Sequence, residues 1–591
     1  MFALWVRIRV SASQPATGTM TNKLEKLRSA QDIHSLAPLL GFKPSSISYI
    51  LFKISDQKRY RKFTIPKKSG GVRSISAPND ELLLLQRKLL QLLNFCLTII
   101  ERERPIKHNR RIAHGARKNY SIYTNAFRHK GKKYVCNLDL KDFFPSINFG
   151  RVRGYFIKNN HFLLHPKVAT LIAQIACHEN NLPQGSPTSS LIADLIAGSL
   201  DQRIFNLTQK FDCSYTRYID DLTISTNKAS LPKCIAFSLD EKLAKWHVGK
   251  ELRSAIERSG FEINESKFRV QLYFNRQSVT GLVVNKKPNI NRDYIRHVRS
   301  MVNNYCKTST LFSHGNEAKR DGDISIQPKH LRGMLNHIFW VKGREFKYRR
   351  FTEKEKDIEP SFVKVYRRFL DYYSFFDTQN PVLLFEGKTD SIYVKCALKK
   401  IGQNFPSLFD SGKKEGYRVS FFKYTKHSLP VQRLGGGCGD IKLLLANFSR
   451  RTEKFSEEKR LGPLIVVVDN DQAARPLFSA IKEMTKSAAK VDGMEDFYDL
   501  GNRLFLVVVP KGRNKGDFPI EYLFTKTVLE TKINNKALSL EDNFDEDKYY
   551  GKYVFAEKIV RPNEDVIDFS GFLPLLQRIS AAIEFDKKSG A

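Results

Sequence analysis

The sequence predicts two folded parts, an α+β part followed by an α/β part built on a parallel sheet. The length of 591 residues is enough for several domains with separate cores. The net charge of +38 lies almost wholly in the first part, with +33 over residues 1–380 and +5 over residues 381–591. Beyond Pro381 the pattern changes to continuous apolar strands separated by helices, which is typical of a parallel sheet. The two parts are therefore expected to have different tasks.

The composition favours a folded protein that binds nucleic acid. Hydrophobic residues make up 41% of the chain and charged residues 27%, so neither a disordered chain nor a membrane bundle is expected. Basic and aromatic residues alternate in Tyr60–Phe63 and Tyr348–Phe351, which favours a nucleic-acid partner over a merely basic surface. The eight cysteines lie at least 21 residues apart and form no Cys-x-x-Cys clip, so zinc and redox sites are not expected. We expect a cytoplasmic protein without a membrane partner.

Local patterns predict the elements of the first part in order. A cationic turn joins two strands, an apolar helix follows, and two later strands carry aspartates at their ends. The predicted elements are the strands Phe63–Pro66 and Val72–Ile75, the helix Leu82–Ile100, the strand 133–138, the helix 189–208, the strand 215–225 and a basic helix from 293 to about 306.

Composition also predicts the domain boundaries. Residues 1–19 are expected to be an unstructured extension, because a better helical start follows Met20. The polar segment 377–381 ends in proline and is expected to be a linker between residues 20–376 and the second part. Within the second part, we expect an α/β domain over 382–525 and a helical or irregular extension over 526–591.

Three aspartates of the first part predict a metal site. Asp139 follows a buried strand, and Asp220 and Asp221 occupy a tight turn between two strand segments. Adjacent carboxylates repel each other and would raise a pKa unless a cation is bound. Two Mg²⁺ ions about 4 Å apart, held by such carboxylates, are what polymerases use to join nucleotides. The alternative is a turn stabilised by its own Asp side chains.

The surroundings of these aspartates resemble a reverse transcriptase. Tyr218-Ile219-Asp220-Asp221 is similar to the Tyr-x-Asp-Asp box of that family, and Asp139 with Phe144 is similar to its first catalytic strand. The resemblance implies a right-hand polymerase with fingers, palm and thumb over residues 20–376, which binds dNTPs and two Mg²⁺ ions. It implies roles for Asp139, Asp220 and Asp221 as catalytic metal ligands, Lys267 as the acid for pyrophosphate, Lys67, Lys68 and Arg73 as triphosphate ligands, Phe144 as a steric gate, and Gln184 and Gly185 as nucleotide and template supports.

Two further boxes resemble those of bacterial retron reverse transcriptases. They are Asn125-Ala126-Phe127-Arg128-His129 and Val279-Thr280-Gly281. Membership of that group implies binding to the protein's own structured non-coding RNA, priming from a 2′-hydroxyl and a branched RNA–DNA product, msDNA. A departure is Ile219, where the group more often has Ala. The residues expected to contact RNA are Asn125, His129, Arg292, Arg296 and Arg299.

Each of these expected RNA contacts could instead have a purely structural role. Asn125 could cap a turn, and His129 could be a hydrogen-bonded core histidine. The arginines of the basic helix could form a solvated face instead of contacting phosphates. A homo-oligomer is compatible with the sequence and is not specified by it.

A second carboxylate set lies in the α/β part. Glu386 follows the apolar strand Val382–Phe385, and Asp469 and Asp471 follow Leu464–Val468. Parallel strands bring such residues to one edge of the sheet, where α/β folds bind ligands. Gly387-Lys388-Thr389 is not a P-loop, because the motif needs a glycine where Val382 stands.

This second set resembles the metal site of a TOPRIM domain. The resemblance implies Glu386 as general acid/base or ligand, Asp469 and Asp471 as ligands of one or two Mg²⁺ ions, and Glu521 as a further acidic ligand. It also implies a toxic nuclease effector in anti-phage defence. The alternatives are helix N-capping by the two aspartates, an RNase H domain, a domain that only binds nucleic acid or a partner, and a group II intron maturase.

Overall fold

The computed structural model describes most of the chain and divides it into two compact units. Unit 1 ends at Asn291 and unit 2 begins at Arg292. The described residues are 17–66, 70–103, 112–239, 245–313, 324–325, 327–344, 359–413, 415–458, 460, 462–485, 491–511, 516–541 and 543–589.

Unit 1 is built around an antiparallel sheet. Its central strand, Tyr134–Lys141, is buried along most of its length and pairs with Asp221–Thr226 on one side. On the other side it pairs with two short strands, Glu262–Ile263 and Arg269–Leu272. The strands of unit 1 are Tyr60–Pro66, Val72–Pro78, Tyr134–Lys141, Ser214–Tyr218, Asp221–Thr226, Ala236–Ser238, Trp246–Val248, Glu262–Ile263, Arg269–Leu272, Ser278–Val279 and Leu282–Val283.

Helices pack on this sheet and form the hydrophobic core of unit 1 together with it. In Asp80–Glu103, the residues Leu85, Leu89 and Leu93 recur every four positions and are fully buried, so this helix is a core element although its length and composition alone would allow it to cross a membrane. The α-helices of unit 1 are Thr17–Ser29, Ile33–Leu40, Pro44–Ser48, Asp56–Arg59, Asp80–Glu103, Ile122–Arg128, Phe149–Lys158, Pro166–Ala176, Ser189–Ile196, Gly198–Lys210 and Lys250–Glu257.

Two predicted elements of unit 1 differ in detail. The single helix predicted over 189–208 is two helices that meet at Ala197. The first helix begins at Thr17, three residues before Met20, and the predicted extension before it lies largely outside the described residues.

Unit 2 contains a five-stranded sheet flanked by helices. Val382–Phe385 and Leu464–Val468 are neighbours and run parallel. Leu504–Val508 continues the parallel order, and Tyr498–Asp499 closes the edge in the antiparallel sense. The other strands are Ser420–Phe421, Phe312–Ser313, Ile324–Ser325, Ala537–Ser539 and Tyr549–Gly551; the α-helices are Arg292–Thr308, Pro328–Lys342, Ser361–Phe375, Asp390–Ile401, Cys438–Thr452, Arg475–Thr485, Lys526–Leu529, Lys552–Val554 and Leu573–Ser589.

The compact units divide at residue 291, whereas the sequence places the linker at 377–381. A buried ion pair within unit 2 joins the helix Ser361–Phe375, which precedes the predicted linker, to the helix Cys438–Thr452. Asp371 is 2% exposed, and both its carboxylate oxygens accept hydrogen bonds from Arg451 Nη2, at 2.6 and 2.7 Å. Gln432 Nε2 donates to the same carboxylate at 3.2 Å. The helices before the predicted linker therefore pack as part of unit 2.

The C-terminal segment is also integral to unit 2. Leu575 and Ile579 of the helix Leu573–Ser589 are fully buried in the same core as Leu383 and Val467 of the sheet. Residues 526–591, which the sequence predicts to be an extension of the second domain, therefore include part of the core of this unit.

Candidate functional site

The three predicted aspartates of unit 1 meet at one end of the sheet. Asp139 and Asp221 are directly opposite each other on neighbouring antiparallel strands, so their side chains lie on the same face. Tyr218 pairs with Asp221, which leaves Ile219 and Asp220 as a two-residue turn. Leu140 N donates to Asp220 O at 3.1 Å and fixes the turn beside the central strand. The topology thus brings Asp139 together with carboxylates that lie 81 and 82 residues later in the chain.

The electrostatics of this end of the sheet favour a cation. Burial, followed by the charges of Asp220 and Asp139, raises the pKa of Asp221 to about 6. Burial and the charge of Asp139 also raise the pKa of Asp220. Asp139 accepts hydrogen bonds from Lys267 Nζ at 2.9 Å and from Asn264 Nδ2 at 3.2 Å. The protein's own ammonium group thus offsets part of the accumulated negative charge.

These carboxylates fit Mg²⁺ by their charge and oxygen chemistry. As the side chains stand, no three acidic, His or Cys groups among the described residues are close enough together to hold a metal ion. Burial, followed by the charges of neighbouring carboxylates, raises the pKa values of Asp220 and Asp221, and a divalent cation would favour their ionised forms. Asp139, Asp220 and Asp221 are the residues that would hold it.

The turn that carries Asp220 is strained and closely packed. Ile219 has a φ of +59°, in the left-handed region that β-branched residues rarely adopt. Gly115 lies against it so closely that a Cβ added to Gly115 would be 2.6 Å from Ile219 Cδ1 and 2.8 Å from Ile219 N. The absence of a side chain at residue 115 therefore makes room for this turn.

A buried arginine also supports the turn. Arg217 is 1% exposed and donates from Nη1 to Ile219 O at 3.1 Å. Its other nitrogens contact Asp194 at 2.8 Å and Asp201 at 2.7 and 2.9 Å. Burial alone would lower the pKa of Arg217, but the charges of Asp201 and Asp194 raise it above its ordinary value. This fully paired network anchors the turn to the helices behind the sheet.

On the polymerase prediction, Gly115→Ala should lower the rate of nucleotide incorporation about tenfold, because overpacking of about 1–3 kcal/mol would displace Ile219 and the aspartates beside it. The measurement is dNTP incorporation on a primed RNA template. Adding Ile219→Ala should restore part of the rate, since the side-chain clash disappears while the clash with the Ile219 backbone remains. Gly154→Ala is the matched control, because a Cβ there meets nothing within 4 Å. Equal rates for Gly115→Ala and the wild type would contradict the packing argument.

The predicted nucleotide-binding residues of unit 1 fall in three places. Arg73 lies on the exposed first half of the strand Val72–Pro78, and its charge opposes the rise that burial causes in the pKa of Asp220. Gln184 O accepts from Ser76 N at 2.8 Å on that strand, and Gly185 is so close that a Cβ would be 2.8 Å from Ser76 O. Phe144 is half-buried with its ring edge-on to Phe143. Lys67 and Lys68 lie outside the described residues.

Asn125 and His129 are core residues rather than surface RNA contacts. Both are fully buried. His129 contacts Ser225 Oγ and Thr216 Oγ1, each at 2.7 Å, and Thr216 Oγ1 donates to Asn125 Oδ1 at 2.6 Å. Burial lowers the pKa of His129 to about 3, so the ring is neutral. The structure therefore contradicts the expected RNA contacts of these two residues. Their side chains instead support the two strands that are joined by the turn carrying Asp220.

The three arginines predicted to bind RNA lie on the first helix of unit 2. Arg292, Arg296 and Arg299 are exposed on Arg292–Thr308, opposite a buried stripe that includes Val298 and Tyr305. Their accessibility allows phosphate contacts and equally allows a solvated face.

Glu386 of unit 2 is held firmly at the C-terminal edge of the parallel sheet. Its backbone N donates to Val467 O at 3.0 Å, which places it beside the end of the neighbouring strand. Cys438 donates to the two carboxylate oxygens from its backbone N and its Sγ, each at 3.1 Å. Asp469 N lies 3.4 Å from Glu386 Oε2. The glycine-rich turn before Cys438 therefore wraps this carboxylate.

Further acidic groups share this edge of the sheet. Burial and the charges of Asp390, Glu521 and Glu386 raise the pKa of Asp469 well above its ordinary value. Burial and the charge of Glu521 likewise raise the pKa of Asp390. Glu521 is fully buried and accepts from Lys552 Nζ at 3.2 Å. We name Glu386, Asp390, Asp469 and Glu521 the carboxylate corner.

Two members of this arrangement were missed by sequence reasoning, and one predicted ligand has another contact. Asp390 could have been found, because it lies four residues after Glu386 at the start of the next helix. Lys552 has no local signal, since it lies 31 residues beyond Glu521. Asp471 Oδ1 accepts from Ala474 N at 3.1 Å and caps the turn that follows, which was the alternative reading of this residue.

Comparisons with known proteins match the first half of the chain. Residues 65–290 match the family model described as "Reverse transcriptase (RNA-dependent DNA polymerase)". The retron Mx162 reverse transcriptase of Myxococcus xanthus is 31% identical over 354 residues, which cover 55% of this chain and 67% of the relative. The retron Ec86 reverse transcriptase of Escherichia coli is 31% identical, with 52% of this chain and 83% of the relative covered.

Other matches cover less of the related chains. For the retron Mx65 reverse transcriptase of Myxococcus xanthus, the match is 32% identical and covers 48% of this chain and 61% of the relative. Among solved structures, apo telomerase from Candida tropicalis is matched at 13% identity with a TM-score of 0.30, covering 53% of this chain and 57% of that chain. That score is too low to bear on the fold.

The matched segment contains Asp139, Asp220 and Asp221, the three carboxylates that the sheet brings together. The identity and coverage of the retron enzymes extend well beyond this short constellation. The chain belongs to the retron reverse transcriptase family and is an RNA-directed DNA polymerase.

Proposed function

We propose that this protein copies its own structured non-coding RNA into msDNA from a 2′-hydroxyl primer, and that unit 2 is a Mg²⁺-dependent nuclease effector in anti-phage defence. The observation that supports the first half is the convergence of Asp139, Asp220 and Asp221 within a family known by its retron members. The observation that supports the second half is the carboxylate corner at the C-terminal edge of a parallel sheet.

In the polymerase proposal, Asp139, Asp220 and Asp221 hold two Mg²⁺ ions, which when bound lower the charge barrier of the displacement. Arg73 binds the triphosphate of the dNTP together with Lys67 and Lys68. Phe144 blocks a 2′-hydroxyl, and Gln184 with Gly185 supports the nucleotide. Lys267, already beside Asp139, donates the proton that the departing pyrophosphate takes up. Arg292, Arg296 and Arg299 contact RNA phosphates.

In the effector proposal, the carboxylate corner and Asp471 bind one or two Mg²⁺ ions, and a TOPRIM-like domain is the reading that this donor set favours. Mg²⁺ bound there would polarise a phosphodiester and supply a nucleophilic water. Glu386 is fixed by Cys438 and acts as general acid/base or ligand. Lys552 neutralises Glu521. Burial alone would lower the pKa of this lysine, but the charges of Glu521 and Asp469 raise it.

An RNase H-type domain is the second candidate for unit 2, because it also clusters carboxylates around Mg²⁺. Such a domain opens with an antiparallel meander of three strands. The pairing of Val382–Phe385 with parallel neighbours on both sides favours the TOPRIM-like reading. A domain that only binds nucleic acid would have no need of four carboxylates at one edge, two of which, Asp390 and Asp469, have raised pKa values.

Glu386→Gln in the full-length protein is expected to lower nuclease activity on the order of 100-fold and to remove growth arrest on expression, because an acidic metal-site group is lost. DNA synthesis should stay within twofold. The measurements are cleavage of labelled RNA, DNA and RNA–DNA hybrid, Mn²⁺ binding by calorimetry, and primer extension.

Glu541→Gln, an exposed glutamate of the same unit, is the control and should leave every measurement unchanged. Cleavage confined to the RNA strand of the hybrid would favour the RNase H-type reading. Retained cleavage in Glu386→Gln would remove Glu386 from the site, and a fall in synthesis would contradict two independent sites.

A further inference from the structure

A turn in unit 1 displays two adjacent aromatic rings to solvent. Tyr273 is 64% exposed and Phe274 is 67% exposed, in the segment between the strands Arg269–Leu272 and Ser278–Val279. Burying an aromatic side chain contributes about 1.5–3 kcal/mol, so two exposed neighbours forgo a large stabilisation. Paired exposed rings of this kind mark binding surfaces.

The backbone of this turn is fixed by side chains beneath it. Asn285 Nδ2 donates to Tyr273 O at 3.1 Å and to Asn275 O at 2.7 Å. Gln277 N donates to Asn285 Oδ1 at 2.9 Å, and the Gln277 side chain is fully buried with Nε2 donating to Lys132 O at 2.8 Å. The rings are therefore presented by a rigid support, which lowers the entropy lost on binding.

The sequence around the rings is cationic. The sequence from Phe268 to Arg292 contains no Asp or Glu. Arg269, Arg276 and Lys286 are exposed within it. Exposed cations beside aromatic rings complement a phosphate backbone with accessible bases, whereas a purely apolar partner would not require them.

The turn lies away from the catalytic carboxylates. Leu272, the residue before Tyr273, pairs with Tyr134 at one end of the central strand. Asp139 is five residues further along that strand, which corresponds to about 16 Å. A base stacked on these rings is therefore not the base being copied.

We propose that Tyr273 and Phe274 form a second nucleic-acid site, at which unpaired bases stack on the rings and the neighbouring cations contact phosphates. The two ring planes are inclined at 78° with centroids 5.3 Å apart. Bases in a duplex are parallel and already stacked on one another, so inclined rings suit the splayed bases of a single strand. This site extends the protein's contact with its nucleic acid beyond the catalytic cleft.

The test measures binding of the full-length protein to fluorescent oligo(U) and oligo(dT) 20-mers and to a 20-base-pair duplex, without Mg²⁺. Tyr273→Leu with Phe274→Leu keeps apolar bulk and removes stacking, so single-strand affinity should fall at least about tenfold. Tyr273→Trp with Phe274→Trp keeps stacking and should bind within twofold of the wild type. Duplex binding and extension of an annealed primer should be unchanged, and the two oligomers distinguish RNA from DNA.

A charge variant tests the phosphate contacts separately. Arg276→Gln with Lys286→Gln should make single-strand binding less dependent on salt, with a slope smaller by about 1.4. Unchanged single-strand binding by the Leu pair would overturn the proposal, as would an equal loss of duplex binding. Conversion of a dimer to a monomer by the Leu pair in sedimentation, with binding unchanged, would instead assign the rings to an interface between copies.

Discussion

Replacement of Asp220 and Asp221 by Asn should abolish DNA synthesis on an RNA template, with a loss on the order of a thousandfold or more. Burial, followed by the charges of neighbouring carboxylates, raises the pKa values of both groups, so a bound cation would stabilise their ionised forms. Asn keeps the size and removes the charge. The measurement is incorporation of labelled dNTP into a primed RNA template over a range of Mg²⁺ concentrations.

Asp212→Asn is the matched control for this double change. Asp212 is an exposed aspartate just before the strand Ser214–Tyr218, and its φ of +51° is one that Asn tolerates. The control should synthesise DNA at the wild-type rate. If the Asp220/Asp221 variant retained even a tenth of the wild-type rate, these two residues would have to be removed from the catalytic site.

Arg217→Met is the change with the largest expected effect on stability, a loss of about 3 kcal/mol, because it removes the cation that two buried carboxylates share. Asp194 keeps its ion pair with Arg117, and Asp201 keeps the hydrogen bond from the Tyr215 hydroxyl. Arg217→Met also removes the hydrogen bond to Ile219 O, so DNA synthesis should fall with it. The measurement is native-state hydrogen exchange of the amides in Asp221–Thr226, alongside primer extension.

Arg203→Met serves as the control, because Arg203 is exposed on the same helix as Asp201. It should change stability by no more than about 0.5 kcal/mol. A positioning role for Arg217 further predicts coupling to the strained turn. Combining Arg217→Lys with Ile219→Gly should cost less synthesis than the two single changes would together, since Gly adopts a positive φ without strain. If the losses of DNA synthesis in the two single variants simply added up in the double variant, Arg217 would only stabilise the fold and would not position the turn.

The polymerase carboxylates could be predicted because their signals are local. An apolar strand that runs into Asp139, and a pair of aspartates between strand segments, are visible in short windows of sequence. The register between strands is not visible there, and the antiparallel pairing of Asp139 with Asp221 came from the structure.

Burial and long-range pairing could not be predicted in the same way. The sequence box containing Asn125 and His129 was recognised, but whether it faces solvent depends on partners about 90 residues away, such as Thr216. Arg217 and Lys552 draw their roles from carboxylates on other elements and carry no spacing signal. Local sequence therefore predicted the carboxylates of the sites better than the buried residues that position them.

The Asp371–Arg451 pair bears on how the two parts of this chain could come to share one gene. If the sequence after Pro381 had been added to an existing polymerase, the helix before the junction would have had to acquire an acidic residue that pairs with the added part. Either residue without the other would lower the stability of the fold, since an isolated buried charge is costly. Descendants that lose the sequence after Pro381 are therefore expected to change residue 371 as well. Recombination at Asn291 would instead keep both residues of the ion pair in the same inherited segment.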